Sequence, residues 1–160
     1  MQNGKSLYWV ADFSPMDKQE MTRKFLIATH GTLAAGIKSS LDLIIGSVEH
    51  VFLLEAYVDE QMSVEAELQN ILAQVGEQDE LVVFTDILGG SITNQILQHC
   101  LRPNVYVVSG VNLPLVIDMM LADSATPMEE VISTAIENAK EQMVFVNKLL
   151  TGQNGEPAND

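Results

Sequence analysis

Cysteine, basic charge and long apolar runs are all scarce in this sequence. The single cysteine, Cys100, has no partner within the chain. That excludes the cross-linked framework of small secreted domains and makes a buried thiol in a reducing compartment the expectation. Lys and Arg number 8 against 22 Asp and Glu, for a net charge of −14 over 160 residues. Nucleic-acid binding rests on neutralising phosphates with cationic side chains, so that class of partner is excluded. An anionic membrane surface repels such a chain for the same reason. No stretch approaches the ~18 apolar residues of a membrane helix, and the longest, Leu113–Ala122, is interrupted by Asp118. Leu7–Val10 is too short for a signal-peptide core and Asp12 follows directly. The expectation is a soluble cytoplasmic protein.

Cofactor signatures are missing as well. The single cysteine and the scattered histidines His30, His50 and His99 show no metal-ligand spacing, so no metal is expected. Gly31 to Gly36 has the span of a nucleotide-binding loop, but Ile37-Lys38 follows where Gly-Lys-Ser/Thr is needed. No dinucleotide fingerprint occurs. Direct use of ATP or NAD has no support, and no cofactor is expected.

What is present is alternation. Residues 1–20 have mixed polarity and no period, and read as an extension with Met21 a candidate start of the domain. Residues 21–150 read as one domain of ordinary size. The last residues, Thr151–Asp160, are polar and turn-forming, and are expected to be disordered. Within the domain, Lys24–Thr29, Val51–Val58, Leu81–Thr85 and Val105–Val108 are short continuous apolar runs, the pattern of buried strands. Thr32–Ile45, Ser63–Val75, Ser91–Leu101, Leu113–Ala122 and Met128–Phe145 carry apolar residues at helical spacing. Ser63 is placed to cap its helix, and Pro114 is tolerated in a first turn. Strands alternating with helices imply an α/β fold, an open doubly wound, mainly parallel sheet with helices on both faces.

In such sheets ligands bind beyond the carboxyl ends of the strands. The residues there are Thr29-His30-Gly31, then Asp86-Ile87-Leu88-Gly89-Gly90-Ser91, then Ser109-Gly110-Val111-Asn112. Singly each has an ordinary explanation: a loop histidine, an aspartate in a turn, a glycine pair that bends the chain. Together they gather on one sheet edge. A neutral imidazole is a good nucleophile near pH 7 when a carboxylate takes the proton of its other nitrogen. Glycine turns and a serine opening a helix present N–H groups to phosphate oxygens. His30 and Asp86 are therefore the candidate catalytic pair, with Gly31, Gly89, Gly90 and Ser91 the candidate phosphate-binding residues. The chemistry indicated is phosphoryl transfer through phosphohistidine. His50, before a strand, and His99, inside a helix, read as structural.

The segments FLIATHG (Phe25–Gly31), VVFTDILGGSITN (Val82–Asn94) and VVSGVNLPLV (Val107–Val116) resemble the enzyme IIA component of the mannose-type (mannose/fructose/sorbose) sugar phosphotransferase system, over about Met21–Leu150. The resemblance implies a strand order of 2-1-3-4 and a homodimer that exchanges a C-terminal strand. It implies a phosphotransferase whose histidine, here His30, accepts a phosphoryl group from the histidine phosphocarrier protein. That group passes to a IIB component, and the membrane IIC and IID components are engaged indirectly. Asp86 corresponds to the orienting aspartate and Ser91 to the serine near the phosphate. Ile92 stands where the family often has proline. Met143–Leu150 reads as either a helix end or the exchanged strand. Two other readings are open: a regulatory phospho-acceptor module with the same domain, and the phosphoryl donor subunit of a dihydroxyacetone kinase, whose related family is similar in the first motif. The second and third motifs favour the sugar-uptake branch. The sugar is not legible, because a IIA component never touches it.

Overall fold

The computed structural model describes residues 21–59 and 61–152. The expectations for residues 1–20 and for the tail beyond Gly152 lie outside the described residues, as does the expected burial of the Cys100 side chain. The strands are β1 (Arg23–His30), β2 (Val51–Ala56), β3 (Glu80–Thr85) and β4 (Val105–Ser109). The helices are α1 (Leu33–Ile44), α2 (Val64–Leu72), α3 (Ser91–Cys100), α4 (Leu113–Leu121), α5 (Met128–Glu141) and α6 (Val146–Gly152). All strand pairs are parallel and the order is β2-β1-β3-β4, the 2-1-3-4 order expected.

Alternation along the strands divides the apolar side chains between two layers. Phe25 and Ile27 of β1 pair in register with Val82 and Phe84 of β3. They pack with Ile37 and Leu41 of α1, Val116 of α4 and Val131 of α5. The rings of Phe25 and Phe84 stack with centroids 6.2 Å apart. Leu26 and Ala28, with Leu81 and Val83, face the other way, onto Leu68 and Ile71 of α2 and Ile92 and Ile96 of α3. Both faces being covered is why these strands are continuously apolar. After β1 the chain turns to the layer of α1, and after β3 to the layer of α3. The gap between the ends of β1 and β3 is thus the switch point of the sheet.

Caps follow the sequence. Ser63 accepts the Ala66 N–H at 3.3 Å, and Asn112 accepts that of Leu115 at 3.1 Å to start α4. The helix expected over Ser63–Val75 ends at Leu72, and three further differences bear on the site and the carboxyl-terminal segment. β2 stops at Ala56, because Tyr57 takes a left-handed φ of 65°. The expected Met128–Phe145 helix ends at Glu141. Its last buried residue is Ala139, and Met143, Val144 and Phe145 are exposed, so no packing extends it. The segment read as helix end or exchanged strand contains a separate helix, α6, which also takes in Thr151 and Gly152 of the expected tail. Among the described residues no helix is long and apolar enough to cross a membrane.

The amino-terminal edge of the sheet is tied by charge. Arg23 Nε lies 2.9 Å from Glu80 Oε2, and its guanidinium also donates to the carbonyls of Asp123 and Thr126. Lys24 Nζ lies 2.7 Å from Asp79 Oδ2, and the Asp79 carboxylate also accepts the N–H groups of Gly76 and Thr22. The Lys24 hydrogen bond, with those N–H donors, holds the Asp79 carboxyl below its ordinary value despite burial. A carboxyl with a lower pKa folded than unfolded stabilises the fold above its unfolded value of about 3.9, and that stabilisation fades as pH falls through the folded value. Asp79→Asn is expected to cost about 1–3 kcal/mol near neutral pH. Urea unfolding of both proteins across acidic pH should show the gap closing as pH falls; a constant gap would count against this account.

Candidate functional site

β1 and β3 bring their last residues to the switch point side by side. Asp86 immediately follows β3, and one of its oxygens, Oδ2, lies 2.8 Å from both the backbone N and the ring Nδ1 of His30. Its other oxygen accepts the Ile87 N–H at 2.9 Å. Burial pushes the Asp86 carboxyl up, but the two His30 bonds, the His30 charge and the Ile87 N–H together outweigh it and hold the pKa below the ordinary carboxylate value. An ionised Asp86 is acceptor-only, so Nδ1 carries a proton, and in the neutral form of the ring Nε2 keeps its lone pair. Nε2 lies 3.3 Å from Ser91 Oγ, at the first residue of α3. The Asp86 side chain is 11% exposed and the His30 side chain 39%.

The loop between Asp86 and Ser91 is fixed from below. Thr93, buried in the first turn of α3, places its hydroxyl 2.8 Å from the Ile87 carbonyl and 2.9 Å from the buried Thr85 hydroxyl. One proton cannot serve both contacts, so Thr93 donates to the carbonyl and accepts from Thr85. Asn94 Nδ2 donates to the Gly89 carbonyl at 3.2 Å. Gly89 has a φ of 74°, in the left-handed region that favours glycine. A Cβ at Gly90 would sit 3.1 Å from the Ile87 carbonyl oxygen and 3.7 Å from His30 Cε1, so its absence lets the loop close against the ring.

The six residues singled out from sequence converge here, in different roles. The N–H of Gly31 donates to the Ala56 carbonyl and that of Gly90 to the Ile87 carbonyl, so both are used within the fold. The donors at the site are the Ser91 hydroxyl and the first-turn N–H groups of α3, which no carbonyl four residues back inside the helix can serve. The Ser109–Asn112 turn stands further along the edge, where Asn112 caps α4. His50 is at the opposite end of the sheet, its carbonyl accepting the Phe25 N–H. His99 on α3 accepts from Gln69 at its Nδ1, 3.0 Å away.

Sequence reasoning missed Tyr57. Its hydroxyl lies 3.1 Å from Ser91 Oγ, and its ring stands 5.7 Å from the His30 ring, centroid to centroid, at 31°. Its place just after an edge-ward strand was the available signal, but the reading of β2 through Val58 absorbed it into the strand. Four exposed apolar residues, Leu33, Val58, Ile87 and Leu88, lie on the segments that follow β1, β2 and β3. A cleft of about 360 Å³ between α4 and α5, lined by Asp118, Glu130 and Asn138 among others, is remote from the ring. Among the described residues no group of three or more His, Cys, Asp or Glu side chains converges on a metal position.

A four-stranded parallel sheet with a carboxylate-oriented histidine at its switch point defines an open doubly wound α/β domain with its candidate site at the carboxyl edge. The sequence model of the family described as "PTS system fructose IIA component" matches residues 24–136, and the chain belongs to this family of phosphotransferase-system IIA components. A Klebsiella pneumoniae crystal structure, assigned as a phosphoenolpyruvate-dependent sugar phosphotransferase system permease, is 36% identical with a TM-score of 0.77, covering 82% of this chain and 96% of that one. The phosphotransferase system component EIIA from Streptococcus agalactiae is 27% identical with a TM-score of 0.67, covering 79% of this chain and 99% of that one. The mannose-specific EIIAB component of Escherichia coli (strain K12) is 26% identical over 124 residues. The match covers 76% of this chain, which spans about 38% of the length of that curated relative.

Proposed function

We propose that this chain is a phosphoryl carrier of a cytoplasmic sugar phosphotransferase system. It would accept a phosphoryl group on His30 from the histidine phosphocarrier protein and pass it to a IIB component, serving membrane IIC and IID components indirectly. The observation that carries this reading is the Asp86 oxygen held at 2.8 Å from His30 Nδ1, which leaves Nε2 as the nucleophile. Its lone pair attacks the phosphorus of the donor phosphohistidine. A P–Nε2 bond forms, the donor's P–N bond breaks, and that electron pair returns to the donor ring. The positive charge left on the His30 ring is balanced by Asp86. The Ser91 hydroxyl and the first-turn N–H groups of α3, at the positive end of the helix dipole, receive the phosphoryl oxygens. Gly31, Gly89 and Gly90 shape the turns that bring them there. The exposed apolar residues Leu33, Ile87 and Leu88 on the segments after β1 and β3 give a protein partner a surface to cover.

The purified protein is expected to gain one acid-labile, alkali-stable phosphoryl group from the phosphorylated phosphocarrier protein, and none from ATP alone. His30→Ala abolishes it, whereas His50→Ala and His99→Ala retain it. Absence of label from an active donor, or label at another residue, defeats the carrier reading. A labelled protein unable to pass the group to any IIB component favours the regulatory module.

Asp86→Asn is expected to slow phosphoryl uptake by roughly 10²–10⁴, by analogy with the orienting aspartate of hydrolase triads. A near-normal rate in a stopped-flow transfer assay would reduce Asp86 to a turn residue.

The resemblance to this family also leads us to propose a homodimer. In support, β4 is an edge strand, and Met143, Val144, Phe145, Leu149 and Leu150 are exposed on the chain that follows α5. Sedimentation of the intact protein at micromolar concentration should give a dimer, and truncation after Glu141 a monomer; a monomeric intact protein would contradict this.

A further inference from the structure

Tyr57 occupies a conformation that packing does not explain. Along β2, Leu54 and Ala56 face the α2–α3 layer, while Leu53 packs in the α1 layer and Glu55 reaches the first turn of α1, where it accepts the Ala35 N–H at 3.4 Å. Alternation would send Tyr57 to the α1 side with Leu53 and Glu55. Instead its hydroxyl bonds Ser91, the first residue of α3, on the other side of the sheet. The left-handed φ of 65° re-aims it. For a bulky aromatic residue that conformation costs on the order of 1 kcal/mol or more. Core burial does not offset it, because Tyr57 is 60% exposed. Its described contacts beyond its own strand end are the Ser91 hydroxyl and the His30 ring. A strained residue whose contacts lead into the site is the pattern expected of a functional position.

The directions of the hydrogen bonds are determined from one end. In the neutral ring Nδ1–H donates to Asp86, so Nε2 of His30 is an acceptor. Its 3.3 Å partner, Ser91, therefore donates. A hydroxyl has one proton, so the 3.1 Å contact from Tyr57 must be received by the Ser91 oxygen, and Tyr57 is the donor. The result is a one-way relay: Tyr57 O–H to Ser91 O–H to His30 Nε2, and His30 Nδ1–H to Asp86. Asp86 fixes the histidine from one side, and Tyr57 fixes the serine from the other.

We propose that Tyr57 is a positioning residue that acts through Ser91. By donating to one of the serine oxygen's two lone pairs it turns the only Ser91 proton away from the tyrosine and toward Nε2, and so toward an oxygen of whatever group Nε2 carries. This rests on the carrier reading for its consequence, but the relay itself exists in the unmodified protein. Hydrogen bonds in such a chain also polarise one another, so the outer donor strengthens the inner one.

The test is a double-mutant cycle read in two ways. In the unphosphorylated protein, nitrogen NMR of the His30 ring reports the hydrogen bond at Nε2. Tyr57→Phe keeps the aromatic ring and loses only the donor; it is expected to move the Nε2 resonance in the same direction as Ser91→Ala, by less. In the Ser91→Ala background, Tyr57→Phe is expected to move it no further. In phosphoryl uptake from the phosphocarrier protein, Tyr57→Phe is expected to slow transfer by about three- to tenfold, with the thermal midpoint unchanged. That loss too should vanish when Ser91 is already alanine. An Nε2 resonance unaffected by Tyr57→Phe, or effects of the two substitutions that simply add, would overturn the proposal. If the wild-type protein takes no label, the carrier reading falls while the resonance still decides whether the relay exists.

Discussion

Asp86 Oδ2 accepts from two donors of the same residue, the backbone N–H and the ring Nδ1–H of His30. One oxygen thereby joins the ends of two strands across the switch point and fixes both the backbone and the ring of the histidine. Everything at the site is arranged around this contact. The β1–β3 register brings the strand ends level. The Thr85–Thr93–Ile87 hydrogen bonds hold the loop that leaves Asp86, and Gly90 lets that loop close on the ring. A side-chain carboxylate does for this edge what a ladder hydrogen bond does inside the sheet, while also setting the tautomer. Structure and chemistry share a single oxygen, so neither is adjustable alone.

The sheet was legible in the sequence because strands buried on both faces leave continuous apolar runs such as Leu26–Ala28 and Leu81–Phe84. The convergence of His30, Asp86 and Ser91 was legible because a parallel sheet puts the residues after its strands on one edge. What escaped depended on conformations with no mark in composition. Tyr57 is left-handed without being glycine, asparagine or aspartate, the residues whose presence signals that region. The N–H groups of Gly31 and Gly90 were read as free donors. Their acceptors, the carbonyls of Ala56 and Ile87, are fixed by neighbouring backbone geometry that local motif spacing does not report. The break between α5 and α6 was hidden by an apolar stretch, Met143–Val146, that reads equally well as a continued helix.

The opposite edges of the sheet solve different problems with the same side-chain types. At the amino end, Arg23 and Lys24 meet Glu80 and Asp79, and their remaining donors go to carbonyls of flanking loops. Charge there is spent inside the molecule. At the carboxyl end the Asp86 carboxylate is instead hydrogen-bonded to the His30 ring, and apolar side chains such as Ile87 and Leu88 are left exposed. A chain with so few cations uses two of them to close the end away from the site.

The His30 ring stands on a rim rather than in a hollow, with more than a third of its side chain open to solvent. A rim has room for one visitor. For a carrier, the giver and the receiver of the group must then cover the same patch around Leu33, Ile87 and Leu88, and neither can arrive until the other has left. Such a molecule cannot act as a scaffold that holds both partners at once. It works as a shuttle, its throughput governed by how quickly each partner lets go, and an excess of either one, in the wrong state of charge, jams it.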